Sequence, residues 1–410
     1  MRRVTITGIG VVSPLGGDAA SFFEALAAGR SGVRRLEGRY HERLTTRVGA
    51  PAPFDGASHF PAPKLRMLDR VSQLALVAAA QALAEAKGAL EGVDPKRAGV
   101  FVGTGMGGAQ TTDEGYHTIY AESSDRVKPF SVLMAMNNAA ASWIGLEHGL
   151  QGPNLTYSTA CSSSAVAIGE AARRIAAGEA DVMIAGGAEA PLNFGTLKAW
   201  DAMRTLAPED PDDPSASCKP FAKDRSGLVL GEGAAMVVLE DAGRAAARGA
   251  RVRAELAGYG LATDGEHITR PTVAGQALTL RRALEDAGIE AASVDYINAH
   301  GTGTQANDAV ETAAIKEVFG ERAYRIPVSS TKSMHGHLLG AAGALEFVAA
   351  LLAMERKVVP PTINLRVRDP ECDLDYVSEG ARAVAKLAVA LSSSFAFGGT
   401  NAVLVARTDT

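Results

Sequence analysis

The chain repeats itself, and the repeat limits what it can fold into. Val100-Phe101-Val102 runs into Gly103-Thr104-Gly105, and Tyr296-Ile297-Asn298-Ala299 runs into His300-Gly301-Thr302-Gly303-Thr304 in the same manner. Tyr157-Ser158-Thr159 precedes a helix of small residues, and so does Val328-Ser329-Ser330-Thr331. Gly231-Glu232-Gly233 feeds an apolar strand at 235–239, as Gly398-Gly399 feeds one at 402–405. Correspondences at an offset of roughly 170 to 200 residues mark the duplication of one α/β unit. Apolar strands alternating with helices predict mostly parallel sheets covered by helices on both faces. Each unit needs the other to cover one face. The expectation is a single layered body with a central cleft, divided as residues 1–250 and 251–410.

The remaining elements follow from local pattern. Residues 4–12 form a β-branched strand ending at Pro14, and 20–28 a short helix closed by Gly29. The segment 70–86 is helical, with Val71, Leu74, Ala75, Ala78 and Ala82 on one face. Helices are also expected at 134–146 and 338–354, the latter apolar on nearly every face and therefore buried. Residues 45–65, 111–132 and 206–218 read as surface excursions or irregular loops.

Composition removes several classes of function. A net charge of −5 argues against a general nucleic-acid binder. Hydrophobic content of 47% against 21% charged residues provides for a large core. The three cysteines are far apart with no CxxC, so a disulfide framework and a structural zinc site are both disfavoured. A reducing, cytoplasmic location is expected. No uninterrupted apolar run reaches about 18 residues, which predicts no membrane insertion.

Chemistry gathers at strand ends, where open α/β sheets bind their ligands. Cys161 ends the run Thr156-Tyr157-Ser158-Thr159-Ala160 and opens a helix with Ala165, Ile168, Ala172 and Ile175 on one side. Ser162, Ser163 and Ser164 suit a first helical turn, where hydroxyls can accept from free N–H groups. A thiol at that junction meets the positive end of the helix dipole, which favours thiolate, and the turn pushes the sulfur toward a cleft. His300 and His337 are each held at a glycine break. His335 and His337 flank Gly336, but no third ligand of metal-site type is near them in sequence, so no metal is expected. Glu346 lies inside the apolar helix and must be paired or neutralised, with Lys332 as the candidate partner. Asp308 and Glu311 stand beside the His300 loop. Gly103 to Gly108 spells GxGxxG, yet the acidic residue expected about 20 residues on is missing, which favours a tight turn over a nucleotide site.

Four separated motifs together resemble one family. Thr159-Ala160-Cys161-Ser162-Ser163, Asn298-Ala299-His300-Gly301-Thr302-Gly303-Thr304, Ser330-Thr331-Lys332-Ser333-Met334-His335-Gly336-His337-Leu338-Leu339-Gly340-Ala341-Ala342-Gly343 and Ser394-Phe395-Ala396-Phe397-Gly398-Gly399-Thr400-Asn401 stand in the order found in the β-ketoacyl-acyl-carrier-protein synthases. The likeness is to the elongating branch and to type II polyketide or polyene ketosynthases, and it runs essentially end to end. It implies the thiolase-like α/β fold: two βαβαβαββ halves in an αβαβα body. The implied reaction is the decarboxylative condensation of malonyl carrier with an acyl chain held on Cys161, without metal or redox cofactor. The implied partners are acyl carrier protein and a second subunit, identical or related. By the same resemblance His300 and His337 face the malonyl unit, and Lys332 and Glu346 form a supporting ion pair. Thr302 and Thr304, with Thr269, bind pantetheine. Phe397 is a gate whose N–H completes an oxyanion hole with that of Cys161, and Phe395 lies beside it in substrate binding. An acidic carrier would dock on Lys64, Arg66, Arg70, Arg126, Lys128 and Arg204. The chain departs from the family at Ala396, where glycine is usual, at Arg270 and Ser226, and at 133–138, which lacks the usual prolines. Two relatives of the fold fit less well. A degradative thiolase has a second reactive cysteine near the C-terminal glycine motif, where this chain has Ala396-Phe397-Gly398. A non-catalytic chain-length factor lacks the nucleophilic cysteine.

Overall fold

The computed structural model describes residues 2–408, and its strand order displays the duplication. Ten strands make one mixed sheet: β1 (Val4–Val12), β2 (Ala98–Gly103), β3 (Asn154–Tyr157), β4 (Val182–Glu189), β5 (Gly233–Asp241), β6 (Ala254–Thr263), β7 (Tyr296–Asn298), β8 (Val328–Ser329), β9 (Val389–Phe395) and β10 (Thr400–Arg407). From the centre outward, one half reads β1-β5-β4-β2-β3 and the other β6-β10-β9-β7-β8. Both are the first, fifth, fourth, second and third strand of a five-strand unit. In each, the fifth strand is antiparallel to its neighbours and the outer strands are parallel. The halves join where β1 meets β6 antiparallel, through Thr5↔Glu255 and Ile6↔Ala254.

Alternation along the strands distributes the core. In β5, Val237 and Leu239 face one cluster while Met236 and Val238 face another. The first cluster is the middle of the molecule, where helices Ser163–Ala176 and Ala342–Arg356 lie between strands of both halves. Helix Arg70–Glu85 covers the outer face of one half through Leu74 and Ala78. Helices Val273–Ala287 and Gln305–Phe319 cover the other through Leu280 and Ile315. The five-layer αβαβα arrangement follows. Every residue of 342–354 is buried, so the apolar helix of the sequence is the central one. Among the described residues, no helix is long and apolar enough to cross a membrane.

Some local expectations give way. Residues 111–132 are not irregular throughout: Ala109–Tyr120 is a surface helix that buries only Thr111, which its polar sequence concealed. The helix expected at 134–146 is two, Ser131–Ala135 and Ala139–His148, separated where Met136 is extended. β6 carries Gly258 and Gly260, which weaken its strand signal. Their reason is a close approach, since a Cβ at either would lie 2.5 and 2.2 Å from the carbonyls of Ala283 and Thr279 on the covering helix.

Candidate active site

The nucleophile elbow is strained where it turns. Ala160 has φ of +52°, unusual for a residue with a Cβ, and Cys161 follows in a short 3-10 turn before helix Ser163–Ala176. The elbow seats against β2 because residue 103 is glycine; a Cβ there would lie 2.2 Å from Ser164 N. The three serines do not cap the helix. Ser163 Oγ accepts from Thr159 N and donates to Ala160 O, tying the elbow to itself. Ser164 Oγ accepts from Ala344 N at 2.9 Å, joining the two central helices. The thiol also differs from expectation. Cys161 is buried, and burial pushes it up to about 11, against the helix dipole and the nearby Lys332 ammonium. It rests as a thiol. The backbone N–H groups of Cys161 and Phe397 both face the sulfur.

The two histidines converge on it. His337 Nε2 is 3.0 Å from Cys161 Sγ, and the His300 and His337 ring centroids are 5.5 Å apart, edge to face. Burial and the Lys332 charge hold both rings well below the usual imidazole range, so both are neutral. Their tautomers follow from what meets Nδ1. Leu339 N, at a left-handed residue, donates to His337 Nδ1 at 3.2 Å. The Lys332 ammonium lies 3.3 Å from His300 Nδ1 and can only donate to it. Each ring therefore keeps its proton on Nε2.

Buried charges surround this pair. Lys332 Nζ contacts the Glu346 carboxylate, with both side chains wholly buried, and donates to His300 O at 2.6 Å. Burial pushes Glu346 up to about 7, with Lys332 opposing the shift. Glu311 accepts from His300 N and Gly301 N, both at 2.7 Å, and is likewise raised by burial to about 7. Asp308 accepts from Phe221 N, Thr302 N and Gly303 N. These two acids brace the backbone of the His300 loop. His335 turns away, with Nδ1 at Gly336 O and Nε2 at Thr331 Oγ1, so it forms no pair with His337. Ligand atoms of Cys161, His300 and His337 do lie within 4.8 Å of one another, a spacing a metal ion could use. The buried ammonium beside His300 opposes a further positive charge there.

A cavity of about 460 Å³ leads from these groups to the surface. Thr302 and Thr304 line one side with their hydroxyl oxygens 2.8 Å apart, although Thr304 also caps the helix that follows. Thr269 stands at the mouth, its N–H donating to His267 Nδ1 at 3.1 Å. Phe395 is buried beside His300, edge to face at 6.0 Å. Phe397 is only half-buried and stacks on Trp200 at 5.9 Å, ahead of Gly398 and Gly399, both with positive φ. Two participants have no sequence signal. Trp200 sits in an ordinary helix. Glu189 ends β4 wholly buried and accepts from Thr104 Oγ1, Gly105 N, Met106 N and Gly340 N. The GxGxxG turn thus wraps a carboxylate of the chain itself.

The basic residues divide. Arg66, Arg126 and Arg204 are exposed with no carboxylate in ion-pair range among the described residues. Lys64 and Lys128 pair with Glu147 and Glu114. Arg70 does not belong to a docking face. Its guanidinium grips both oxygens of the buried Glu232 and donates to Ala52 O and Phe54 O, leaving it an internal brace.

Comparison with known proteins assigns both halves of the chain to one family. Residues 1–245 match the family described as Beta-ketoacyl synthase, N-terminal domain, and residues 253–366 its C-terminal domain. The chain is 45% identical over 403 residues to Nodulation protein E of Rhizobium meliloti (strain 1021), covering 98% of each. It is 42% identical over 410 residues to 3-oxoacyl-[acyl-carrier-protein] synthase 2 of Coxiella burnetii, again covering 98% of each. Among solved structures, it is similar to a type II polyketide ketosynthase in complex with its acyl-carrier protein, AntDE:AntF. The TM-score is 0.91, with 33% identity and full coverage of both chains.

Proposed function

Because the chain belongs to the β-ketoacyl synthase family, condensing acyltransferases, we propose that Cys161 carries the growing acyl chain while His300 and His337 activate the malonyl unit. The observation that carries this reading is the convergence of one thiol and two neutral Nε2–H histidines at the floor of one cavity. In the first half-reaction Cys161 sulfur attacks the acyl thioester. The C–S bond to pantetheine breaks, and the thiol proton leaves with the departing pantetheine sulfur. The N–H groups of Cys161 and Phe397 receive the oxyanion. In the second, malonyl thioester loses CO2, and its electron pair becomes an enolate whose oxygen accepts from both Nε2–H groups. The enolate carbon attacks the acyl-cysteine and the negative charge that began on the malonyl carboxylate ends on Cys161 sulfur. That thiolate then takes up one proton from solvent, as its raised affinity requires. Neutral histidines suit this, because each donates a hydrogen bond from Nε2–H to the enolate oxygen without giving its proton up.

Substrates arrive on the phosphopantetheine of an acidic carrier protein, which meets Arg66, Arg126 and Arg204. Charge reversal at Arg66 and Arg126 together is expected to weaken carrier affinity about tenfold at low salt and much less at high salt. Equal affinity of variant and parent at low salt, by titration calorimetry, would remove this patch. The protein works as a dimer in this reading, which β3 supports. That strand is an edge strand with open hydrogen-bonding groups, it carries exposed Leu155, and it packs on the helix that carries exposed Leu146. The mate is a second copy or a related ketosynthase-like subunit, and the free, buried thiols suit the cytoplasm. The halves divide near residue 250.

Phe397 acts as the gate. Its ring leans on Trp200 instead of filling the core, so Phe397→Ala should cost only about 1–2 kcal/mol of stability. It should also release CO2 from malonyl carrier before Cys161 is acylated. A variant badly destabilised yet still coupling decarboxylation to condensation would leave Phe397 a core residue. The whole reading is tested by supplying the purified chain alone with acyl and malonyl carriers. A β-ketoacyl product supports it. Product only after a catalytic relative is added would make this chain a chain-length factor.

A further inference from the structure

The cavity that leads to Cys161 carries one permanently charged side chain. Among the described residues lining it, Arg270 alone bears a fixed charge; the rest of the wall is apolar, hydroxylic, amide or imidazole. Arg270 is exposed at the mouth, beside Thr269 and Pro271, and has no carboxylate in ion-pair range among the described residues. The loop that presents it is fixed on both sides. Ile268 O accepts from Gly398 N at 2.7 Å, and Thr272 caps helix Val273–Ala287 while its hydroxyl donates to Asp264 at 2.9 Å. An unpaired guanidinium on a loop held from both sides, at the open end of an uncharged passage, suits an anion.

We infer that Arg270 binds the phosphate of the phosphopantetheine arm and thereby selects phosphorylated substrates. This rests on the condensing reading above. An acyl-pantetheine arm is neutral along its amides and bears its phosphate at the end opposite the thioester. With the thioester at Cys161, the amides meet the hydroxyls of Thr302 and Thr304, and the far end reaches the mouth where Arg270 stands. Arg204 is also near the mouth, between the lining residues Met203 and Thr205, but its own side chain is not part of the wall. Its role is with the carrier surface, and Arg270's is with the arm.

The test compares malonyl thioesters of 4′-phosphopantetheine and of pantetheine, which differ only in the phosphate, together with the carrier-borne thioester. The parent protein should prefer the phosphorylated form, and Arg270→Ala should reduce that kcat/KM ratio roughly tenfold, the usual worth of a charge-assisted hydrogen bond. Arg270→Lys should keep most of the ratio. The carrier-borne thioester should lose by a similar factor. An unchanged ratio in Arg270→Ala would overturn the inference. So would a loss seen only with the carrier-borne substrate, which would place Arg270 against the carrier protein. Failure of the parent to turn over any of the three would instead sink the condensing reading itself.

Discussion

Cys161→Ala is expected to abolish both acylation and condensation while the protein stays folded. The sulfur lies under two converging N–H groups and 3.0 Å from His337 Nε2, and no other thiol can take its place. Cys218 and Cys372 are buried in clusters of their own, away from the cavity. Alanine fits the turn, since it only removes one sulfur from a residue already among small neighbours. The stability loss should stay near 1 kcal/mol, or about 1 °C in Tm for a chain of this length. Condensation measured at the parent rate in a folded variant would remove Cys161 from the mechanism.

Lys332→Ala is expected to cost stability and activity together. The ammonium and the Glu346 carboxylate are both wholly buried, so removing one strands the other, at roughly 3–5 kcal/mol. The same change deprives His300 Nδ1 of its donor, and the ring loses the contact that keeps its proton on Nε2. A misdirected donor of this kind costs about 10²–10³ in rate. The pH dependence has a defined sign. Glu346 sits at about 7 in the folded protein against an ordinary 4.5, so the folded state binds the extra proton. Its contribution to stability is complete below the ordinary value and is lost as pH rises through about 7. Without Lys332 the carboxyl is raised further, so the deficit of the variant should widen between pH 7 and 9. A Tm equal to that of the parent across that range would mean the pair is not buried in solution.

What the sequence made legible was local. Cys161 and His300 each come shortly after a strand and precede small residues, and that pattern places them at strand ends, whereas His337 follows the short helix Lys332–His335 and was marked only by its glycine break. Glu346 stood out because a carboxylate in an apolar helix needs a partner. Properties that depend on distant segments were not legible. The helix dipole predicted a thiolate at Cys161, whereas burial, contributed by residues from both halves, makes it a thiol. Arg70 looked like a surface cation because its partner Glu232 lies 162 residues away. Glu189 gave no signal because the N–H groups that hold it come from the Gly105 turn and from Gly340. β6 was missed for a related reason: its glycines serve the packing of a helix that comes later in the chain.

The central claim is that the acyl chain passes through Cys161. Peptide mass spectrometry after incubating the purified chain with a panel of acyl carriers tests it most directly. The acyl mass should appear on the peptide containing Cys161, disappear when malonyl carrier is added, and reappear as β-ketoacyl carrier. Condensation product formed with Cys161 unmodified throughout, or an adduct confined to Cys218 or Cys372, would contradict it.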